Sequence, residues 1–188
     1  MQLSKNSKRI IIIVAIGVVL ILCVYFFIKS IRKKVNMSVE NNNVQAFLKA
    51  IRVKESSLDD TAFTLLVGGG HFKSFADHPY ITGEFKGIRV GKDLTTAAGA
   101  FQITVSTWRI VKAALGLPDF SPKSQEKAAI WLLDTRRKAL GDIIAGNFDK
   151  AIEKCRNEWQ AFDYALKGKK GWYAKIKNTY VQHGGKFA

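Results

Sequence analysis

The apolar positions follow different rules in successive stretches of the chain. From Ile10 to Ile28 nineteen residues pass without a charge, a length that spans about 28 Å as a helix, close to the ~30 Å hydrocarbon core of a bilayer. This predicts a single transmembrane helix over 10–28, with residues 1–9 as a basic flank. Lys29-Ser30-Ile31-Arg32-Lys33-Lys34 follows at once. A cleaved signal peptide would instead carry a shorter apolar region and a small-residue cleavage site, so the span reads as retained. Residues 29–41, basic and then polar, read as a tether that also supplies N-cap candidates for the helix beyond.

A helical period begins at Val44. Val44, Phe47, Leu48 and Ile51 form one stripe, and four residues on Glu55 continues it, placing a carboxylate on an apolar face. Burial disfavours the charged form, and a helix end near Ser56-Ser57 would raise the pKa further through the negative end of the macrodipole. Those are the attributes of a general acid. Periodicity alone favours the plainer reading, in which Glu55 marks the helix end and turns into water, because acids are seldom buried.

Between Leu58 and Thr96 the helical period disappears. Thr64–Val67 and Phe72–Phe75 suit short strands about the Gly68-Gly69-Gly70 turn, and the rest reads as loop. No Lys-Ser or Lys-Thr pair follows the glycines, so they mark a tight turn rather than a phosphate cradle. From Thr104 helices return. Val105, Trp108, Val111, Ala114 and Leu115 share one face that stops before Gly116; Ser121-Pro122 starts a second helix, broken at Gly141. Asn147 opens a third, carrying Phe148 to Trp159, and Trp172–Gln182 forms the last, ending at Gly184-Gly185. The fold class expected is α+β, mainly helical, with a small β or loop lobe.

Charge narrows the partners. The chain of 188 residues carries a formal +15, and seven of its 30 basic residues but none of its 15 acidic ones lie in the first 35 positions. The remainder is still positive, which favours an anionic partner: nucleic acid, anionic lipid or an acidic wall polymer. No nucleic-acid-binding motif accompanies the charge, so no nucleic-acid partner is expected. Basic residues flank both ends of the span; counted literally they lean toward a cytoplasmic C-terminal domain without deciding the matter. Cys23 lies in the span and Cys155 in the soluble part, so they do not pair and say nothing of compartment.

Few constellations carry chemistry. His71 and His78 lack HExxH or paired-cysteine context, so no metal site is expected, and no serine sits in a G-x-S-x-G setting. The carboxylates remain. Asp59, Asp60, Asp77 and Asp93 each stand in the irregular lobe where one could face Glu55, although each reads first as a solvated loop acid. Thr95 to Ile103 is rich in small residues that let another chain approach, and Gln102 offers both donor and acceptor for a sugar amide; a tight turn entering a helix explains the strip equally well.

Several motifs then line up in one order. Ala46-Phe47-Leu48 with Glu55, Val67-Gly68-Gly69, Asp77-His78-Pro79, Gly99 with Phe101-Gln102, and Leu115-Gly116-Leu117-Pro118-Asp119-Phe120-Ser121-Pro122-Lys123-Ser124-Gln125 together resemble the lambda-phage endolysin family over about residues 42–185. The resemblance implies a lysozyme-like domain and a lytic transglycosylase that cuts the bond between N-acetylmuramic acid and N-acetylglucosamine in peptidoglycan. It implies no cofactor. Glu55 matches the family's catalytic glutamate, and Gln102, Asp77, Trp108 and Trp159 are candidate substrate-binding residues, with core packing the competing role for the aromatics. Phe63, Thr64, Ala100 and Phe101 depart from residues common in the family, namely tyrosine, aspartate, arginine and tyrosine.

The N-terminal span is a further departure, and its hydrophobicity favours staying in the membrane over a releasable signal anchor. Glycan strands and a lipid membrane are therefore the expected partners, with a holin or virion membrane proteins as further candidates. The resemblance implies a phage or prophage origin and two settings: the host inner membrane facing the wall, for lysis, or a virion membrane, for wall penetration at genome entry. The alternatives in function are a lysozyme that cuts the same bond with water, and a membrane-anchored peptidoglycan-binding protein without catalysis.

Overall fold

The computed structural model describes the backbone from Lys5 to Ala188 and the side chains from Ile11 onward. A long helix, α1 (Lys5–Ser38), precedes a mainly helical domain. The segment expected to be a tether is therefore helical and continuous with the apolar span. Its last turns pack on the domain: Val35 is 1% exposed and Ser38 is buried, Arg32 Nε donates to the Ala114 carbonyl at 3.1 Å, and Lys34 pairs with Asp134. Polar composition suggested a loose linker, but one buried apolar residue and two long basic side chains suffice to fasten a helix whose other faces stay wet.

The centre of the domain is α2 (Asn42–Glu55), whose N-cap Asn41 accepts from the Val44 amide. The predicted stripe is buried together with Ala46, Ala50 and Arg52, so the helix is enclosed on most sides. Phe47 sits at its middle, 5.9 Å from Phe148, 5.4 Å from Phe162 and 6.5 Å from Tyr180 between ring centroids. Around it lie α4 (Val105–Leu115), α5 (Pro122–Trp131), α6 (Leu140–Ile144), α7 (Phe148–Cys155), α8 (Gln160–Leu166) and α9 (Trp172–Gln182), while α3 (Pro79–Thr82) is a single turn in the irregular lobe. Pro122 opens α5 as expected, but Ser121 makes no side-chain cap bond; Asp119 instead fixes the turn before the helix, accepting from the Ser121 amide and the Ser124 hydroxyl.

Three boundaries differ from expectation. Gly141 lies inside α6, and the helix before it ends in a π-helical turn, Leu132–Arg136, followed by Lys138 at φ +54°. A lysine in a left-handed conformation is a helix stop that composition does not announce. Trp159 does not belong to α7 but precedes α8, because the chain turns after Cys155. The sheet is an exposed hairpin, β1 (Ile88–Val90) against β2 (Asp93–Thr95), antiparallel with Ile88 opposite Thr95. Its strands are three residues each and half polar, too short for an alternation signal. The segments expected as strands make only isolated bridges, Leu65 to His71 and Leu66 to Ala98, since three successive positive-φ glycines open the turn between them.

Candidate active site

Glu55 is the last residue of α2, half-buried, with Oε1 accepting from the Ala161 amide at 2.9 Å. Ala161 lies in the first turn of α8, where backbone N–H groups have no intrahelical partner. Burial pushes the Glu55 carboxyl above the usual glutamate range, and the Ala161 bond offsets part of that rise. The group is thus a carboxylic acid biased toward its neutral form with one donor ready to receive the anion.

The wall beside it is built from backbone held by buried side chains. Ser56 Oγ donates to the Ala100 carbonyl at 2.8 Å, and the Ala100 amide donates to Gln125 Oε1 at 2.9 Å. Gln125 is fully buried and its Nε2 donates to the carbonyls of Phe63 and Phe120, so one amide joins the lobe, the 99–102 turn and α5. Gly99 is required there: its φ is +75°, and a Cβ would come within 2.2 Å of Gln125 Oε1. Arg52, 1% exposed, stacks 4.6 Å from the Phe63 ring and donates to the carbonyls of Ser57 and Asp59. It therefore fixes the turn that follows Glu55.

The remaining candidates separate into two groups. Gln102, at φ +49°, folds back so that Nε2 donates to the Gly99 carbonyl, and Trp159 donates from its indole to the Phe101 carbonyl. Both line one small cleft of about 80 Å³ with Thr104, Thr107 and Glu158. Glu158 in turn receives Arg136 at 3.0 Å and Arg137 at 2.7 Å, tying the start of α8 to the π-helical turn. Trp108 and Asp77 stand elsewhere. Trp108 is completely buried, packed on Phe120 with its indole donating to Asp77 at 2.6 Å; it has no surface to offer a substrate. Burial raises Asp77, but bonds from Lys112 and Trp108 outweigh it and hold the carboxyl below the usual range. The two brace the lobe against α4; Trp108 presents no surface there, whereas Asp77 keeps 22% of its side chain exposed.

The other lobe acids are accounted for without Glu55. Asp59 caps the 3-10 turn Asp60–Thr64 through the Thr61 amide, and Asp93 is exposed in the hairpin. Among the described residues no carboxylate shares a hydrogen bond or ion pair with Glu55, and none of the histidine, cysteine and acidic groups gather as a potential metal site. His78 is buried with Nε2 on the Ile103 carbonyl; His71 pairs with the Thr64 hydroxyl at the surface. The sequence does not reveal Ala161, whose contribution is a backbone amide. Arg52 was detectable, as a cation one turn after Leu48 on the buried face of α2.

The sequence and the fold are similar to those of known proteins. A family model described as Endolysin matches residues 45–187. The endolysin of Escherichia phage P2 is 34% identical over 141 residues, 69% of this chain and 85% of the relative, and that of Escherichia phage lambda is 32% identical over 126 residues, 63% and 76%. In structure, the chain is similar to bacteriophage lambda lysozyme complexed with a chitohexasaccharide, with a TM-score of 0.66 and 29% identity over 79% of this chain and 97% of the other. A second structure, lysozyme from bacteriophage lambda, gives a TM-score of 0.65 at 27% identity and the same coverage. Fold and sequence agree over nearly the whole domain, and the chain belongs to the endolysin family, lysozyme-like enzymes that degrade peptidoglycan.

Proposed function

We propose that the chain is a membrane-anchored lytic transglycosylase that cleaves the N-acetylmuramic acid to N-acetylglucosamine bond, with Glu55 as general acid and then general base. The observation that carries this is Glu55 itself: a half-buried acid raised by burial, with one backbone donor and, among the described residues, no carboxylate partner. Protonated, it donates to the glycosidic oxygen as the bond to C1 breaks; as carboxylate, held by the Ala161 amide, it takes the proton from the muramic C6 hydroxyl that attacks C1. The proton returns to Glu55 and a 1,6-anhydro sugar leaves. The nucleophile belongs to the substrate, so the second carboxylate of an ordinary glycosidase is not needed. Gln102 is the leading substrate-binding residue of this reading, in a cleft it shares with the nearly buried Trp159. The hexasaccharide bound by lambda lysozyme supports a glycan-binding groove in this fold.

Mass spectrometry of digested peptidoglycan is expected to show anhydro-muramic ends. Reducing ends alone would identify hydrolysis by water instead, and wall binding without released fragments would identify a non-catalytic binder. Glu55→Gln is expected to lower the rate by about 10²–10⁴-fold, the usual contribution of general acid–base catalysis; full activity in that variant would overturn both catalytic readings. The anchor rests on α1, whose most apolar window has a mean hydropathy of 3.3 and no residue buried against the domain. Alkaline carbonate extraction is expected to leave the chain in the membrane fraction. Cell fractionation against purified virions distinguishes the host inner membrane from a virion membrane.

A further inference from the structure

Where α1 meets the domain, a cleft of about 330 Å³ opens between Phe27, Ile31 and Lys34 on the helix and Asp134, Lys138 and Gly141 on the domain. Its two ends differ. Phe27 lies at the end of the uncharged span and Ile31 one turn later, while the polar part of the lining holds Lys34, paired with Asp134, and Lys138. At 1.5 Å per residue, Phe27 to Lys34 covers about 10 Å, enough to cross a headgroup layer of roughly 5–7 Å beyond the hydrocarbon boundary. An apolar floor below and a net positive charge above match the two halves of a phospholipid.

Lys138 is the informative member. Among the described residues it is one of two non-glycine residues at positive φ, at +54°, where glycine is the less strained choice. Its carbonyl accepts from Lys154, a bond that any residue would make, and its ammonium enters no salt bridge among the described residues. Asp134 is taken by Lys34. Lys29 and Lys33, on adjacent faces of α1, also lack acidic partners there, so the collar around the helix base has a surplus of cations that no protein group neutralises.

We infer that this junction is a binding site for an anionic phospholipid, its phosphate on Lys138 beside the Lys34–Asp134 pair, which leaves the cleft one net positive charge, and the root of its acyl chains against Phe27 and Ile31. The inference rests on the reading of α1 as a membrane anchor. The domain then sits down on the headgroup layer through residues 134–141 in addition to being attached by α1.

Native mass spectrometry of the full chain released from nanodiscs tests it, using phosphatidylglycerol, phosphatidylcholine and, separately, inorganic phosphate. Phosphatidylglycerol is expected to be retained over phosphatidylcholine, with Lys138→Gly losing about fivefold of that preference, the amount one lysine contributes near an anionic surface, and Lys138→Arg keeping it. Because glycine suits the backbone there, Lys138→Gly is expected to melt no lower than the wild type, which separates lost binding from lost folding. Hydrogen exchange over 134–141 is expected to slow in phosphatidylglycerol nanodiscs relative to phosphatidylcholine. Equal retention of the two lipids, an unchanged Lys138→Gly, or inorganic phosphate binding as well as the lipid would each overturn the site. A chain that enters nanodiscs but shows no preference overturns this inference alone; a chain that does not enter them overturns the anchor as well.

Discussion

At the scale of the residue, Glu55 couples stability to activity. Its pKa in the fold lies above that of an unfolded glutamate, about 4.3, so the folded state binds its proton more tightly than the unfolded state does. That contribution is fully present below the unfolded value and is lost as pH rises through the raised one. Glu55→Gln, which can still accept from the Ala161 amide, is therefore expected to raise Tm at about pH 7.5 and to leave it unchanged at about pH 3.5; calorimetry at both values checks this. For the wild type, kcat/KM is expected to fall on the alkaline side as the acid ionises, and that limb is the kinetic reading of the same group. The glutamate was visible in the sequence because it breaks the rule that apolar stripes exclude charge. Trp108 and Asp77 were less legible: tryptophan and aspartate look the same in a sequence whether they meet a sugar or, as these two do, each other.

At the scale of the element, the turn at residues 99–102 is shaped by a helix that does not touch it in sequence. Gln125 satisfies the Ala100 amide and two carbonyls from inside the core. Gln125→Ala leaves those groups without partners, at about 1–3 kcal/mol for each that stays dry, and is expected to lower denaturant stability by about 3 kcal/mol or more. A urea titration measures this. Gln125→Glu keeps the acceptor toward Ala100 but turns an oxygen toward two carbonyls, and is expected to be no milder. The helices were legible wherever caps and apolar spacing agreed, as at Trp172–Gln182, which begins and ends where the pattern says. They were illegible where geometry replaces composition. Lys138 stops a helix without being glycine, and the three-residue strands of the hairpin bury too little to leave a period. The Leu115–Gln125 block is legible for the opposite reason, since Asp119 and Gln125 each hold a defined backbone group and Ser124 holds the Asp119 carboxylate.

At the scale of the whole molecule, charge and attachment act together. Beyond residue 35 the chain has 23 basic against 15 acidic residues, a formal +8, which should draw the domain to the acidic wall, and activity on intact sacculi is expected to fall as salt is raised from about 0.05 to 0.5 M, over which the Debye length shortens from roughly 14 Å to 4 Å. Turbidity clearance at graded ionic strength checks it; a flat response would mean that the glycan is held by uncharged contacts alone. Neither the size of this effect nor the attachment was legible in the composition, because residues 29–41 read as polar linker while Val35 is buried in the domain. The continuity of α1 from Lys5 to Ser38 has a mechanical meaning. An enzyme on a loose leash sweeps a volume, reaching glycan at many heights and angles. An anchored enzyme on an unbroken helical post, fastened by Val35, Arg32 and Lys34, works at one elevation and one tilt. It would search the wall in two dimensions, by gliding with the bilayer, and would cut only strands that come to its own fixed altitude.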